Sequence, residues 1–302
     1  MIRKIAITAI MFTLSILGIN AQLLYKISGK DIKKPSYIVG TFHVAPASFV
    51  DSIPGLRAAM DDAEQVCGEL EMKDMMSPEG IQKLTAAMML QDGKTIKDIL
   101  SADEMNRLNA YLRDLLTIDL TNPMLEQQMG KMTPSAIAQQ LTLLAYIKKT
   151  PGFNPQDLID NSFQKYAQEK QKPIIGLETL DFQINTLFMG KTIDRQKELL
   201  LCMVDNPKYN EQMLDEMAKA YFSFNINKLQ ELMDEKENNQ CDSTPEEKDA
   251  LLGKRNRDWL TKMPAIMSAK STLFHVGAGH LPGDNGVLKL LSDAGYTVEA
   301  VK

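Results

Sequence analysis

Apolar and polar positions follow two regimes along the chain. Near both ends they form short continuous apolar runs bounded by glycine, proline and charged residues. The middle carries them at three- and four-residue spacing. The runs Leu23 to Ile27 and Ser36 to Phe42, with Gly29-Lys30-Asp31 between them, predict a hairpin. A helix over 53–64 follows, with Asp51 or Ser52 as cap and Pro54 in its first turn, and then a strand over 65–72. The same order returns at the far end: a strand over 272–276, a helix opened by Asp284 or Asn285 and stopped at Gly295, and a strand over 296–301. The two ends read as copies of one strand–helix–strand unit, adjacent in one largely parallel sheet. The capping box Ser101-x-x-Glu104 opens a helix to about Thr117, and Thr133-Pro134 opens another to Lys149. A third helix is expected over 155–170, a lone strand over 172–178, and helices again to about Met267. The fold class expected is α/β: a mixed sheet from two repeats, with a large central helical insertion at about 77–170 and 180–267.

A 302-residue chain with 44% hydrophobic residues builds a full core. Its net charge of −5 carries no basic footprint, so nucleic acid is excluded as an expected partner. Arg3 and Lys4, the apolar stretch Ile5 to Leu17, and Ile19-Asn20-Ala21 form an export signal cut after Ala21. The expected product, residues 22–302, is periplasmic or secreted, with no stable membrane insertion. Export permits a disulfide. Of the three cysteines, Cys67 reads as a buried thiol, and Cys202 is expected to pair with Cys241. No C-x-x-C is present. The 19 methionines read as adaptable core filler.

Each terminal unit carries G-x-x-H directly after its first strand: Gly40-Thr41-Phe42-His43 and Gly277-Ala278-Gly279-His280. Two of the chain's three histidines thus fall at strand carboxyl ends, where open α/β sheets place ligands. The glycine of each motif is expected to turn the chain off the strand. Glu178 ends the lone central strand. Glu69 and Glu71 share one face of the strand over 65–72, and Glu69, nearer its apolar centre, is the better candidate. Two imidazoles with one or two carboxylates suit a divalent ion such as Mn, Co, Zn or Fe. The expected ligands are therefore His43, His280, Glu178 and Glu69, with the spare glutamate as base. Arg255 or Asn256, in Arg255-Asn256-Arg257-Asp258-Trp259, is a candidate for holding an oxyanion or a substrate carboxylate. His275, inside the last apolar run, reads as structural. No H-E-x-x-H helix and no G-x-S-x-G elbow occur.

These stretches resemble the TraB/GumN family, which includes the Tiki-type metalloproteases. The matching segments are Y-I-V-G-T-F-H (37–43), C-G-E-L (67–70), P-I-I-G-L-E-T (173–179), R-N-R-D-W (255–259) and V-G-A-G-H-L-P-G-D-N-G-V (276–287). The resemblance covers nearly all of residues 22–302. It implies an α/β core with a helical insertion and a site built from His43, His280, Glu69, Glu178 and Arg255. It also implies a divalent-metal-dependent hydrolase acting on a peptide or protein. Two further readings use the same residues: a metal-independent His/Glu hydrolase, and a non-catalytic peptide-binding cleft.

Overall fold

The computed structural model describes residues 22–30 and 32–302. The expected export signal at 1–21, and Asp31 of the expected hairpin turn, lie outside the described residues. Among the described residues six strands form one sheet: β1 (Leu24–Ser28), β2 (Ser36–Thr41), β3 (Gln65–Gly68), β4 (Ile174–Gly176), β5 (Thr272–Gly277) and β6 (Thr297–Ala300). Their spatial order is β4-β3-β5-β2-β1-β6. The first four are parallel neighbours, and β1 runs antiparallel to both β2 and β6. The two motif-bearing strands are adjacent, with Gly40 opposite Val276 and Thr41 opposite Gly277. The strands within each terminal unit are not adjacent. β5 lies between β2 and β3, while β2 and β1 lie between β5 and β6, so the two units interleave.

The helices used below are α1 (Leu56–Asp62), α2 (Ala102–Leu116), α3 (Pro134–Lys149), α4 (Ile159–Glu169), α5 (Ile193–Asp205), α6 (Lys254–Ala269) and α7 (Val287–Asp293). The box expected at α2 is present: Ser101 Oγ accepts the Glu104 N–H at 3.3 Å, and Glu104 accepts the Ser101 N–H at 2.7 Å. Several boundaries differ from expectation. A 3-10 turn (Ala47–Ser52) and Gly55, at φ 71°, precede α1, so that helix begins three residues late. α7 begins after Gly286 rather than at Asp284. β3 stops at Gly68 because Glu69 and Leu70 leave the sheet and a short helix (Met72–Met75) follows.

Two apolar clusters hold the molecule. The first surrounds the sheet and includes Ile38, Val39, Val66, Phe274, Trp259 and Leu291. The second lies within the helical region and joins Leu108, Leu112, Ile137, Leu141, Leu200 and Val204 from α2, α3 and α5. α4 was expected inside the insertion, yet Ile159, Phe163 and Ala167 are fully buried in the sheet cluster. That docking places the start of α4 beside the first motif. The disulfide expected between Cys202 and Cys241 is present, with Cα atoms 5.6 Å apart, and Cys67 is a buried free thiol.

Candidate active site

The four parallel strands each deliver one candidate side chain at or just beyond their carboxyl ends. In spatial order these are Glu178 after β4, Glu69 after β3, His280 after β5 and His43 after β2. The motif glycines do not turn the chain: Gly277 is extended at φ −53°, ψ 133°, and neither has positive φ. Gly40 instead permits close approach. A Cβ there would lie 2.8 Å from Leu281 Cδ1 and 2.9 Å from Ala278 Cα, so the second motif packs directly on the first.

Arg255 enters this row from α6. A π-helical turn (Asp249–Gly253) leads into that helix, which buries Arg255, Asn256, Trp259, Met263 and Met267. Every N–H of the guanidinium is committed. Nε donates to Glu178 Oε1 at 2.7 Å; Nη1 serves Leu251 O at 3.3 Å and His280 Nε2 at 3.1 Å. Nη2 serves Glu178 Oε2 at 2.9 Å and Glu69 Oε2 at 2.5 Å. The sequence-based role of holding an oxyanion or substrate carboxylate has no donor left to use in this arrangement. Glu178 is equally occupied: its side chain is fully buried, and Oε1 also accepts the Trp259 indole N–H at 2.8 Å. Glu69 keeps some exposure. Its Oε1 accepts the Gly277 N–H at 2.7 Å, and Gln183 donates to Oε2 at 3.3 Å. Burial opposes ionisation of Glu69, but His280 when protonated, Arg255 and the Gly277 amide outweigh it and hold its pKa below the usual range. Of these, Arg255 carries the charge at neutral pH. Glu71, the rival of Glu69, turns away and pairs with Lys73 at 2.7 Å. Strand alternation does not separate Glu69 from Glu71, because both residues lie past the end of β3.

His280 is buried, and its ring state follows from its neighbours. Asn256 Nδ2 donates to the carbonyls of His280 and Asn285 at 3.2 and 2.7 Å, which fixes the amide orientation. Asn256 Oδ1 must then accept from His280 Nδ1 at 2.6 Å, leaving Nε2 as the lone pair that meets Arg255. Burial pushes the pKa of His280 down to about 4, so the ring is neutral under physiological conditions. His43 differs. Its side chain is 79% exposed, and Nδ1 lies 3.3 Å from Asp160 Oδ2. That hydrogen bond pushes its pKa up to about 9, although solvent screens the pair. Asp160, which sequence reasoning missed, also accepts the Thr41 hydroxyl at 2.6 Å. His275 stacks on Phe163 with centroids 5.0 Å apart and lies against Gly68, a packing role.

A family model described as "TraB/PrgY/gumN family" matches residues 23–300. The chain belongs to this family. Relatives include Metalloprotease TIKI1 of Xenopus tropicalis, 24% identical over 310 residues, covering 87% of this chain and 59% of the relative. Metalloprotease TIKI1 of Homo sapiens is 24% identical over 307 residues, covering 88% and 59%. Metalloprotease TIKI2 of Danio rerio is 22% identical over 306 residues, covering 88% and 58%. The chain thus spans about three-fifths of the length of these relatives. No solved structure matches it.

The relatives' name directs attention to metal ligation by this family member's own residues. The donor chemistry is suitable: both motif histidines engage Nδ1 with an oxygen acceptor, the arrangement in which an imidazole offers Nε2 to a metal. His280 Nε2 and Glu69 Oε1 lie 3.9 Å apart, close enough to share one ion. Among the described residues, however, no group of three or more His, Cys, Asp or Glu side chains is arranged to hold a metal. The cation at the centre of the row is Arg255, and it uses the lone pairs of His280 Nε2 and Glu69 Oε2 that an ion would need.

Proposed function

We propose that this protein is a hydrolase of the TraB/Tiki type that cleaves peptide bonds at the carboxyl edge of β3, β5 and β2. The observation that carries the reading is the convergence of Glu69, His280 and Arg255 beside His43, at the ends of four parallel strands. Two ionisable groups there have pKa values pushed in opposite directions, Glu69 down and His43 up. That separation assigns the protonation states at neutral pH, Glu69 as carboxylate and His43 as imidazolium. Glu69 is ionised across the working pH range and is the site carboxylate with exposure to spare, so it accepts the proton of an attacking water. His280, neutral and fixed in one tautomer, accepts from Arg255 at Nε2 and so helps hold the guanidinium beside Glu69. Glu178 keeps both oxygens on Arg255 and Trp259 and holds the guanidinium in place. We further propose export of the protein to the periplasm or beyond, where its peptide or protein substrate would be met.

A divalent ion, such as Mn, Co or Zn, would be held by His43, His280 and Glu69 if Arg255 gave up His280 Nε2 and Glu69 Oε2, and would supply Lewis-acid polarisation of the scissile carbonyl. A second reading is favoured by the committed Arg255. In it the guanidinium is the resident positive charge, and His43, protonated through Asp160, donates the proton to the leaving amine. Metal analysis of the purified protein, with peptide-library cleavage measured with and without chelator, tests both. About one ion per chain and chelator-sensitive cleavage support the first reading. Chelator-resistant cleavage without bound metal supports the second, and no cleavage of any peptide contradicts both.

A further inference from the structure

We propose that Asp160, locked by Thr41, is the positioning residue of His43: it fixes the imidazole as the Nδ1–H tautomer and aims Nε2 at the site. The inference rests on the site reading above but concerns a residue outside every motif. The helical stretch that carries it has no G-x-x-H-like signal.

The geometry builds the pair from both sides. Thr41 is the last residue of β2, and its buried hydroxyl donates to Asp160 Oδ1 at 2.6 Å. That bond selects the carboxylate's orientation and leaves Oδ2 for His43 Nδ1 at 3.3 Å. Asp160 lies in the first turn of α4, where helix N–H groups favour negative charge. The segment before it is laced to the chain just after His43. Ile159 N–H donates to Ala45 O at 2.9 Å, Ala47 N–H donates to Asp157 O at 3.0 Å, and Pro46 bridges Leu158. Ile159, Phe163 and Ala167, fully buried against the sheet, anchor the helix. The carboxylate therefore cannot follow His43 if the ring drifts; the ring must come to it.

The tautomer follows from chemistry. An ionised carboxylate only accepts, so the ring nitrogen facing it carries the hydrogen, and Nε2 of the neutral ring holds the lone pair. Without Asp160 an imidazole that is 79% exposed returns to the Nε2–H form it prefers in water, which hides the lone pair from the site. An asparagine at 160 does more than remove charge. While Thr41 donates to the amide oxygen, the amide NH2 faces His43, and Nδ1 must become the acceptor. Asp160→Asn is thus expected to reverse the tautomer, Asp160→Ala to release it, and Thr41→Val to loosen it partly.

Three histidines make this measurable. Ring 15N NMR of the whole protein, at a pH where His43 is neutral, reads each tautomer directly, and unmoved His275 and His280 signals report an intact fold. Nδ1–H for His43 in the unaltered protein, converting to mainly Nε2–H in both Asp160 variants, is the expected result. Nε2–H in the unaltered protein, or Nδ1–H persisting in Asp160→Ala, overturns the proposal. Should the variants misfold, the state of the unaltered protein and of Thr41→Val still decides it. Co2+ titration forms a separate arm: a 10- to 100-fold loss of affinity in Asp160→Ala is expected. Absence of Co2+ binding in every form would count against the metal reading of the preceding section, while the tautomer still decides this one.

Discussion

Replacing Arg255 with methionine strands the two glutamates it neutralises. Glu178, fully buried at its side chain, loses the Nε and Nη2 contacts at 2.7 and 2.9 Å and keeps only the indole of Trp259. Glu69 loses the 2.5 Å contact and keeps Gly277 N–H and Gln183, and His280 Nε2 loses its donor. Breaking a buried ion pair by removing one partner costs about 3–5 kcal/mol, a large share of a typical domain's stability. Arg255→Met should therefore lose about 4 kcal/mol in urea unfolding. The loss should be largest at neutral and alkaline pH and shrink on acidification, as Glu69, whose pKa Arg255 helps hold down, takes up a proton. Arg255→Met combined with Glu178→Met removes the buried charge as well. Despite leaving the Trp259 N–H without an acceptor, it should be about 1–2 kcal/mol more stable than the single variant. A single variant within about 1 kcal/mol of the unaltered protein, or a double variant less stable than the single, would refute the view that Arg255 is the electrostatic centre of the site.

Other expectations follow from the same geometry. His280, pushed down to about 4, keeps stability that is lost as pH falls from the ordinary histidine value of about 6.5 through 4, because the unfolded chain protonates first. His43, pushed up to about 9, contributes in the opposite sense: its share is full below about 6.5 and lost as pH rises through 9. His43→Gln should flatten the alkaline limb of a urea-midpoint profile and leave the acid limb in place; an unchanged alkaline limb would argue against the Asp160 contact. Gly40→Ala, whose Cβ would meet Leu281 and Ala278 at 2.8 and 2.9 Å, should cost about 1–3 kcal/mol in thermal or urea unfolding. Gly277→Ala, with its nearest atom at 3.4 Å, should cost clearly less, and equal costs would undo the packing account of the first motif. Cys202–Cys241 closes a sequence separation of 39, so its reduction should remove about 2–4 kcal/mol; a melting temperature indifferent to reductant would show that the bond is absent.

The sheet was legible because its strands are short apolar runs punctuated by glycine and charge, and the two histidines were legible because they end such runs. Glu69 was selected for a reason the structure replaces: it meets Arg255 from a loop past β3, where strand alternation no longer applies. Asp160 gave no signal, since its partners Thr41 and His43 are 119 and 117 residues away and a lone acid in a helical first turn is common. α4 read as insertion for a similar reason, because apolar spacing identifies a helical face but not which of two cores that face enters. Histidine, glutamate and arginine at these positions are equally compatible with a metal cage and with a guanidinium-centred cluster. The choice depends on where α6 points Arg255, which the π-helical turn before it helps set and local sequence does not display.

The most direct test of the central claim is cleavage of a peptide library by Glu69→Gln beside the unaltered protein, with Mn2+, Co2+ or Zn2+ added and omitted. Glu69→Gln keeps the shape of the side chain and, with its amide oxygen in the Oε1 place, the contact with Gly277 N–H, but it turns an NH2 toward Arg255 and removes the charge that accepts a proton. Under the proposed function the unaltered protein cuts peptides and Glu69→Gln is at least 100-fold slower, as loss of a general base requires. Cleavage by Glu69→Gln at the unaltered rate would contradict the account.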